Sequence, residues 1–356
     1  MPFLILTINP GSTSTKLAVF EDAREILTRN LSHAADELAA YASIIDQYEF
    51  RRGRIAEFLA ENGYSPGRFA AIVGRGGLLK PMASGTYRVN AAILDDLRHC
   101  RYGAHASNLG ALLAASLAEE AGCPAFIVDP VVVDELDPVA RITGCPAVEK
   151  VSIFHALNQK AVAKRYAASH GKAYESLNLI VAHLGGGISV GCHRQGRIVE
   201  VNNALDGNGP FSPERAGTLP AGQWAKLIAK EQLTPDAIAK MLAGRGGLVA
   251  HLGTNDAREV EKRIAAGDER ARLVYDAMIY QIASHIGAAA IPVRGRVDAI
   301  LLTGGIAYSD YLTSRIAEYV RFIAPVTVLP GEDELLALAE GALRVLKGEE
   351  APRDYA

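Results

Sequence analysis

Two segments of the chain share one pattern, in which two apolar runs flank a short polar or glycine-rich turn. In the first segment, apolar runs at 4–8 and 17–20 flank the turn NPGSTSTK. In the second, apolar runs at 179–184 and 188–192 flank three consecutive glycines at 185–187. Such runs around a turn predict β-hairpins. Their recurrence roughly 170 residues later predicts an internal repeat.

The rest of the chain alternates strand and helix patterns, which is typical of an α/β protein. The apolar spacing predicts a helix with Ser152 as its N-cap, a long helical stretch interrupted near Gly267, and a disordered tail at 349–356. The remaining predicted strands are 25–31, 69–73, 87–90, 125–128, 197–201, 297–303 and 326–329. The predicted helices are 46–62, 91–99, 108–121, 152–170, 223–230, 236–243, 257–291, 309–323 and 332–347.

Composition narrows the class of protein. The net charge is −3 and no basic run stands out, so we expect neither nucleic acid nor a membrane surface as a partner. No apolar span approaches the ~20 residues that cross a bilayer, and we interpret the N-terminus as a first strand. The four cysteines are scattered without metal-site spacing, which favours a reducing cytoplasm. The length suits roughly two domains.

Three loops carry candidate chemistry. The first turn offers hydroxyls and an ammonium beside a glycine, and such a loop can hold a polyphosphate, although an ordinary polar turn has the same composition. It is neither a P-loop nor a Rossmann fingerprint. The second loop is the glycine-rich sequence at 74–77, in which Arg75 is the one charged residue. It either places that charge on backbone that can approach a ligand closely, or it is a flexible turn with a solvated arginine. The long irregular loop at 203–220 contains Arg215.

Taken together, these motifs resemble the acetate/butyrate kinase family over essentially the whole chain, and the butyrate branch fits best. The carrying sequences are NPGSTSTK, GRGG, VDPVVVDELDPVARITG, FHALN, AHLGGGISVG, DGNGPFSPERAGTLP, LLTGGIA and PGEDELLALAEGALRVL. The resemblance implies two actin-like (ribonuclease H-like) α/β domains with nucleotide in the interdomain cleft. It predicts a first domain at 1–130 plus 332–356, and a second domain at 131–331 that carries nucleotide-binding and dimer surfaces.

The resemblance also implies roles for single residues. Asn9 and Glu332 would hold Mg²⁺, although Asp333 and Glu334 stay open as alternatives to Glu332. Arg75 lies three positions from the arginine of acetate kinases, so its role is open. The implied catalytic residues are Asp129, Arg215, His155, His183 and Arg75; the phosphate and nucleotide residues are Ser12, Ser14, Lys16, Gly185, Gly186, Gly187, Gly304, Gly305 and Ile306; and the acid pocket is lined by Gly74, Arg75 and Phe154.

The implied activity is reversible, in-line phosphorylation of butyrate by MgATP, with ADP as the other product. Kinases for isobutyrate, propionate or acetate are the neighbouring alternatives. The non-enzymatic alternative is an actin-like nucleotide-gated binding module without an acceptor site. The presence of Arg75 and Arg215 argues against this alternative. Because the acceptor carboxylate is already an anion, Asp129 is expected to orient a metal-bound water or an arginine, not to act as a base. A homodimer or higher homo-oligomer is implied.

Overall fold

The computed structural model describes residues 2–356, which form two compact units. The first unit runs up to Val133 and is completed by Asp333–Ala356, and the second unit is Asp134–Glu332. The chain therefore passes between the units twice, and its end returns to the unit in which it began. The domain bounds at residues 130 and 331 stay a prediction.

A six-stranded mixed sheet is the framework of the first unit. Its elements before the first crossing are β1 (Leu4–Pro10), β2 (Ser14–Glu21), β3 (Arg24–Ser32), α1 (Ala35–Ala39), α2 (Tyr48–Glu61), β4 (Ala71–Gly74), β5 (Thr86–Arg88), α3 (Ala91–Arg98), α4 (Asn108–Ala121) and β6 (Ala125–Val128). The strand order is β3-β2-β1-β4-β6-β5. Strands β1, β2 and β3 are antiparallel neighbours, whereas β1, β4 and β6 run parallel. The first predicted hairpin is confirmed, with Leu4 opposite Glu21.

Helix α4 packs against the parallel strands of this sheet and is apolar along most of its length. It ends at Gly122, whose left-handed backbone (φ 66°) suits glycine at a helix C-cap. Gly74, at the end of β4, lies against the backbone of Gly110 in α4, and a Cβ at Gly74 would collide with the Gly110 carbonyl. A side chain at position 74 would therefore push α4 away from the sheet.

The second unit contains a five-stranded sheet with the order β11-β10-β7-β8-β9. In chain order its elements are α5 (Pro138–Arg141), α6 (Ala156–Ser169), β7 (Asn178–Leu184), β8 (Ile188–Arg194), β9 (Arg197–Val201), α7 (Ala221–Glu231), α8 (Pro235–Leu242), α9 (Gly247–Leu252), α10 (Ala257–Ala265), α11 (Glu269–Ala289), β10 (Ala299–Gly304), α12 (Asp310–Val320) and β11 (Val326–Pro330). The order β9-β8-β7-β10-β11 repeats β3-β2-β1-β4-β6 of the first unit, with the same antiparallel and parallel pairings. The predicted internal repeat is confirmed.

Helix α11 anchors the core of the second unit. Val274, Tyr275, Met278 and Ile282 are buried at a spacing of three and four residues, which places them on one helix face. The predicted interruption near Gly267 is confirmed, because α10 and α11 are separate helices. The chain then crosses back, and α13 (Glu334–Leu346) packs on β1 in the first unit.

Two local predictions are wrong. Helix α6 is capped by His155, not by Ser152, because the backbone at His155 (φ −81°, ψ 60°) is still non-helical. The tail at 349–356 is ordered against the first unit. Arg353 bridges to Tyr87, and Tyr355 is buried with its hydroxyl donating to Asp96 at 2.6 Å. Burial of Tyr355 therefore holds in place a tail whose polar composition had predicted disorder.

Candidate active site

The turn of the first hairpin is closed by its own backbone. The Gly11 N–H donates to the Ser14 carbonyl at 2.8 Å. Ser12 and Lys16 are exposed at this turn, and Ser14 is half-buried. The predicted phosphate-binding side chains are therefore accessible to a ligand, on a loop that has a defined backbone.

Arg51, in α2, holds this turn in place through hydrogen bonds to its backbone. The sequence patterns did not identify this residue. The residue is fully buried, and its guanidinium donates to the carbonyls of Gly11 (2.9 Å), Ser14 (2.9 Å) and Ser12 (3.0 Å). Gln47, one turn earlier on the chain, accepts from the same guanidinium at 2.8 Å. Because these carbonyls face Arg51, the N–H groups of the same peptide planes point away from it. Backbone N–H groups that point away from their support in this way are available to an anion.

A sequence signal for Arg51 existed. In α2 the buried positions are Arg51, Ile55, Phe58 and Leu59, which is the i, i+4, i+7, i+8 pattern of one helix face. An arginine at an otherwise apolar position of a buried face needs internal acceptors. Backbone carbonyls of a nearby turn are such acceptors.

Thr15 and His33 extend the support of the turn. The Thr15 hydroxyl lies 2.9 Å from Nε2 of His33 and accepts from Arg51 at 3.1 Å. The backbone N–H of His33 donates to the backbone carbonyl of Thr13 at 2.9 Å. Burial, together with the charge of Arg51, lowers the pKa of His33 to about 4. His33 is therefore a neutral structural residue at neutral pH.

Glu334 joins two predicted site residues in the first unit. The Asn9 amide donates to one oxygen of the Glu334 carboxylate at 2.6 Å, and Arg75 forms a partly buried ion pair with the other oxygen. Of the three acidic residues left open by the sequence, Glu334 is thus the one beside Asn9. Glu332 lies in the second unit, where its carboxylate is 3.2 Å from Nε2 of His183.

Asp129 is buried at the end of β6 with a left-handed backbone (φ 39°). Its Oδ1 accepts from the Ser84 hydroxyl at 2.6 Å and from the Gly85 N–H at 2.8 Å. A positive φ is costly for a residue other than glycine and clusters at functional sites. The carboxylate is therefore held in one orientation by an ordered loop.

In the second unit, His155 and His183 stack face to face, with ring centroids 3.8 Å apart and planes within 9°. Nδ1 of His183 lies 3.0 Å from Oδ1 of Asn158, and Nδ1 of His155 lies 2.9 Å from the Ser189 hydroxyl. Each ring is fixed at one nitrogen by a neighbouring side chain. The two catalytic histidines implied by the resemblance thus form one rigid pair. Phe154, which is predicted to line the acid pocket, directly precedes His155 in sequence and is buried.

The glycine turn of the second hairpin is shaped by Arg215. A Cβ at Gly187 would collide with the Arg215 guanidinium, which also donates to the Ala204 carbonyl. Burial lowers the pKa of Arg215. The Ser212 hydroxyl donates to the Gly186 carbonyl at 2.6 Å and ties the loop at 203–220 to the turn. Glycine at position 187 is needed for the arginine to reach this place.

A cavity of about 690 Å³ opens beside Gly186 and the turn that follows β10. Gly305 and Ile306, two of the residues that the resemblance assigns to the nucleotide, line it. Gly304, just before them, has φ 94°, and a Cβ there would collide with the Leu184 backbone, so the turn requires glycine. The other lining residues are Glu214, Asn255, Asp256, Ala257, Arg258, Glu261, Tyr308 and Ser309. A cavity of this size, with polar groups among its lining residues, is in the range of small-molecule sites.

Oxygen donors suited to Mg²⁺ are present in both units. Asn9 and Glu334 contribute an amide and a carboxylate in the first unit, and Glu332 contributes a carboxylate in the second. Among residues 2–356 no group of three or more His, Cys, Asp or Glu side chains could by itself hold a metal ion. Mg²⁺ is commonly held by one or two carboxylates plus substrate phosphates, so Asn9 and Glu334 of the first unit fit it.

Comparison with known proteins identifies relatives over the whole length. The acetokinase family model matches residues 150–320. Butyrate kinase 2 of Clostridium acetobutylicum is 54% identical over 355 residues, which is 100% of both chains. Crystal structures of an acetate kinase from Porphyromonas gingivalis and a propionate kinase from Francisella tularensis are similar at TM-scores of 0.73 and 0.74, with 19% and 20% identity, covering 95% of this chain and 98% of each of theirs. These structures share the two-domain actin-like α/β fold.

Proposed function

The chain belongs to the acetokinase family, and from this premise we propose that it phosphorylates butyrate with ATP, reversibly, to give butyryl phosphate and ADP. The observation that carries the proposal is the 54% identity with a butyrate kinase over the full length of both chains. Isobutyrate, propionate and acetate are the competing acceptors.

The reaction demands alignment and charge compensation more than covalent chemistry. The acceptor carboxylate is an anion at neutral pH, so no general base is needed. Two anions must approach each other, and arginine and histidine N–H groups can offset their repulsion. The resemblance-derived residues of each unit include such donors.

In the first unit we assign Ser12, Ser14 and Lys16 to the phosphates and Arg75 to the acid. The accessible turn over Arg51 supports the first assignment. The Arg75 guanidinium has five N–H donors, so its pair with Glu334 leaves donors for a substrate carboxylate. Glu334 then keeps the arginine in place. Asp129 is assigned to orienting a metal-bound water or an arginine.

In the second unit we assign Arg215, His155 and His183 to the charge that develops on the transferring phosphoryl group. Their fixed geometry supports this, because prearranged donors act without reorganisation. The glycines at 185–187 would approach the phosphates, and the turn at 304–306 would border the adenosine in the adjoining cavity. Gly74 and Phe154 stay proposed members of the acid pocket, although the collision with Gly110 gives Gly74 a packing reason as well.

Mg²⁺ is the proposed metal, held by Asn9 with Glu332 or Glu334. When bound, it would neutralise charge on the ATP phosphates. The protein groups orient it through amide and carboxylate oxygens, which are the ligands that Mg²⁺ prefers.

A cytoplasmic homo-oligomer is the proposed state of the protein. The four cysteines are free, which suits a reducing compartment. No helix in the described part of the chain is both long and apolar enough to cross a membrane. Tyr280 of α11 contacts Tyr319 of α12, and both are exposed, as is Phe322, three residues after Tyr319. Exposed aromatics of this kind are typical of interfaces. Analytical ultracentrifugation tests the oligomer directly.

An acid series tests the substrate. Acyl phosphate is trapped as hydroxamate with straight and branched acids from about two to five carbons, and kcat/KM is compared. We expect a maximum at butyrate, since each extra methylene in an apolar pocket changes discrimination by about 10–200-fold. A maximum at isobutyrate, propionate or acetate would reassign the acceptor. No acyl phosphate with any acid would overturn the proposed function.

A further inference from the structure

A chain of buried polar side chains runs behind His155. Nδ1 of His155 lies 2.9 Å from the Ser189 hydroxyl, which lies 2.8 Å from Nε2 of Gln159. Oε1 of Gln159 lies 3.0 Å from Nε2 of His193, and Nδ1 of His193 lies 2.8 Å from the Tyr174 hydroxyl. Ser189, Gln159 and His193 are all fully buried.

Local structure explains why these groups meet. His155 caps α6 and Gln159 follows it by four residues, so both lie on one helix face. Ser189 and His193 are four residues apart in β8, and their side chains therefore point to the same face of the sheet. Gly191 lies between them, and a Cβ there would press on Gln159 Oε1. The missing side chain makes room for the glutamine.

The direction of every hydrogen bond in this chain can be assigned. Nε2 of Gln159 lies 3.1 Å from the Ser189 carbonyl, which can only accept, so that atom is the amide nitrogen. Oε1 of Gln159 therefore accepts, and His193 carries its proton on Nε2. Burial, with the charge of Lys160, lowers the pKa of His193 well below its usual value. The ring is neutral, and its Nδ1 accepts from Tyr174.

The same logic reaches His155. Gln159 donates to the Ser189 oxygen, so the hydroxyl proton of Ser189 must go to another acceptor. Nδ1 of His155, at 2.9 Å, is in position to accept it. An imidazole that accepts at Nδ1 carries its proton on Nε2.

We propose that Gln159 and Ser189 are positioning residues that hold His155 in its Nε2–H tautomer, so that this N–H is a donor to the oxygens of the transferring phosphoryl group. The inference rests on the proposed role of His155. It adds to that role the residues that decide which ring nitrogen donates. Neither residue touches the substrate itself.

The tautomer is measured by ¹H–¹⁵N correlation spectra of ¹⁵N-histidine-labelled protein, with the His155 signals assigned by their loss in His155→Gln. The wild type should show a protonated Nε2 and an unprotonated Nδ1. In Gln159→Glu, measured at a pH where the new carboxyl group is ionised, that group can only accept, so Ser189 should donate to it and His155 should become protonated on Nδ1. Ser189→Ala, which removes the donor outright, should give a mixed tautomer.

Activity is measured on the same samples. Gln159→Glu and Ser189→Ala should lower kcat on the order of 10²-fold, the effect of losing one transition-state donor, with the KM for ATP unchanged. Gln223→Glu, at an exposed position of α7, controls for the added charge and should keep wild-type kcat.

A protonated Nδ1 in the wild type, or wild-type tautomer and kcat in both variants, would overturn the proposal. Should Gln159→Glu fail to fold, Ser189→Ala alone decides between these outcomes. The spectra need no turnover, so absence of carboxylate phosphorylation would remove the proposed function while leaving the tautomer result readable.

Discussion

Replacing Arg51 removes the support of the phosphate-binding turn without touching any proposed substrate contact. In Arg51→Met the carbonyls of Gly11, Ser12 and Ser14 each lose the hydrogen bond that Arg51 donates, and the Ser14 carbonyl keeps only the one from the Gly11 N–H. Each lost hydrogen bond costs about 1 kcal/mol where water can take over. Three such bonds therefore cost about 3 kcal/mol of unfolding free energy. With about 2.1 cal/mol/K of unfolding entropy per residue over 356 residues, that lowers Tm by about 4 °C.

The catalytic effect follows from the same geometry. With its carbonyls released, the turn no longer presents its N–H groups in one arrangement. A misplacement of about 1 Å costs on the order of 10²-fold in rate, so kcat should fall by that factor and the KM for ATP should rise. Arg51→Lys keeps the charge but not the planar fork, and its losses should be intermediate.

Arg52→Met is the matched control. Arg52 is the next residue of α2, but its side chain pairs with Glu120 and Ser116 near the surface. Exposed ion pairs contribute about 0–1 kcal/mol, so Tm should change by about 1 °C or less and kcat should be unchanged. Thermal unfolding and steady-state kinetics compare the two variants. Equal Tm and equal kinetics for Arg51→Met and Arg52→Met would refute the reasoning.

Three further predictions concern single residues. Arg215→Ala should lower kcat on the order of 10²–10³-fold while ATP binding by calorimetry is kept, and a mild loss would contradict its role. Asp129→Asn should lose turnover or metal affinity; near-normal values of both would show the assignment to be wrong. Because the pKa of His33 is lowered to about 4, the unfolded chain binds the proton more readily, and stability falls as the pH drops from 6.5 towards 4. In urea titrations at pH about 7 and about 5, His33→Gln should show a smaller fall than the wild type, and an equal fall would exclude His33 as the cause.

The hairpins and the α/β alternation could be predicted because they depend on apolar periodicity. The runs around residues 9–16 and 185–187 become β1–β2 and β7–β8 with few shifts at their ends. Three short helices, α1, α5 and α9, were missed, since one or two turns leave no periodic pattern to detect. The Ser152 cap failed for a different reason: the backbone is still non-helical at His155, and Ser152 and Phe154 before it are buried.

In the candidate site, only residues that lie within recognisable sequence motifs could be predicted. Residues such as Ser12, His183 and Arg215 lie within recognisable sequences. Arg51 and Gln159 do not, because their importance comes from contacts with residues that are distant in sequence. The contact of Glu334 with Asn9 likewise joins residues at opposite ends of the chain, and spacing alone could not separate Glu334 from its acidic neighbours.

The central claim is that this protein moves a phosphoryl group from ATP to a short carboxylate. ³¹P NMR of protein with ATP, Mg²⁺ and butyrate follows that transfer directly. The account predicts that an acyl phosphate signal grows in equal amount with ADP as the γ-phosphate signal of ATP declines. ATP loss that yields only inorganic phosphate, or no ATP loss at all, would contradict it.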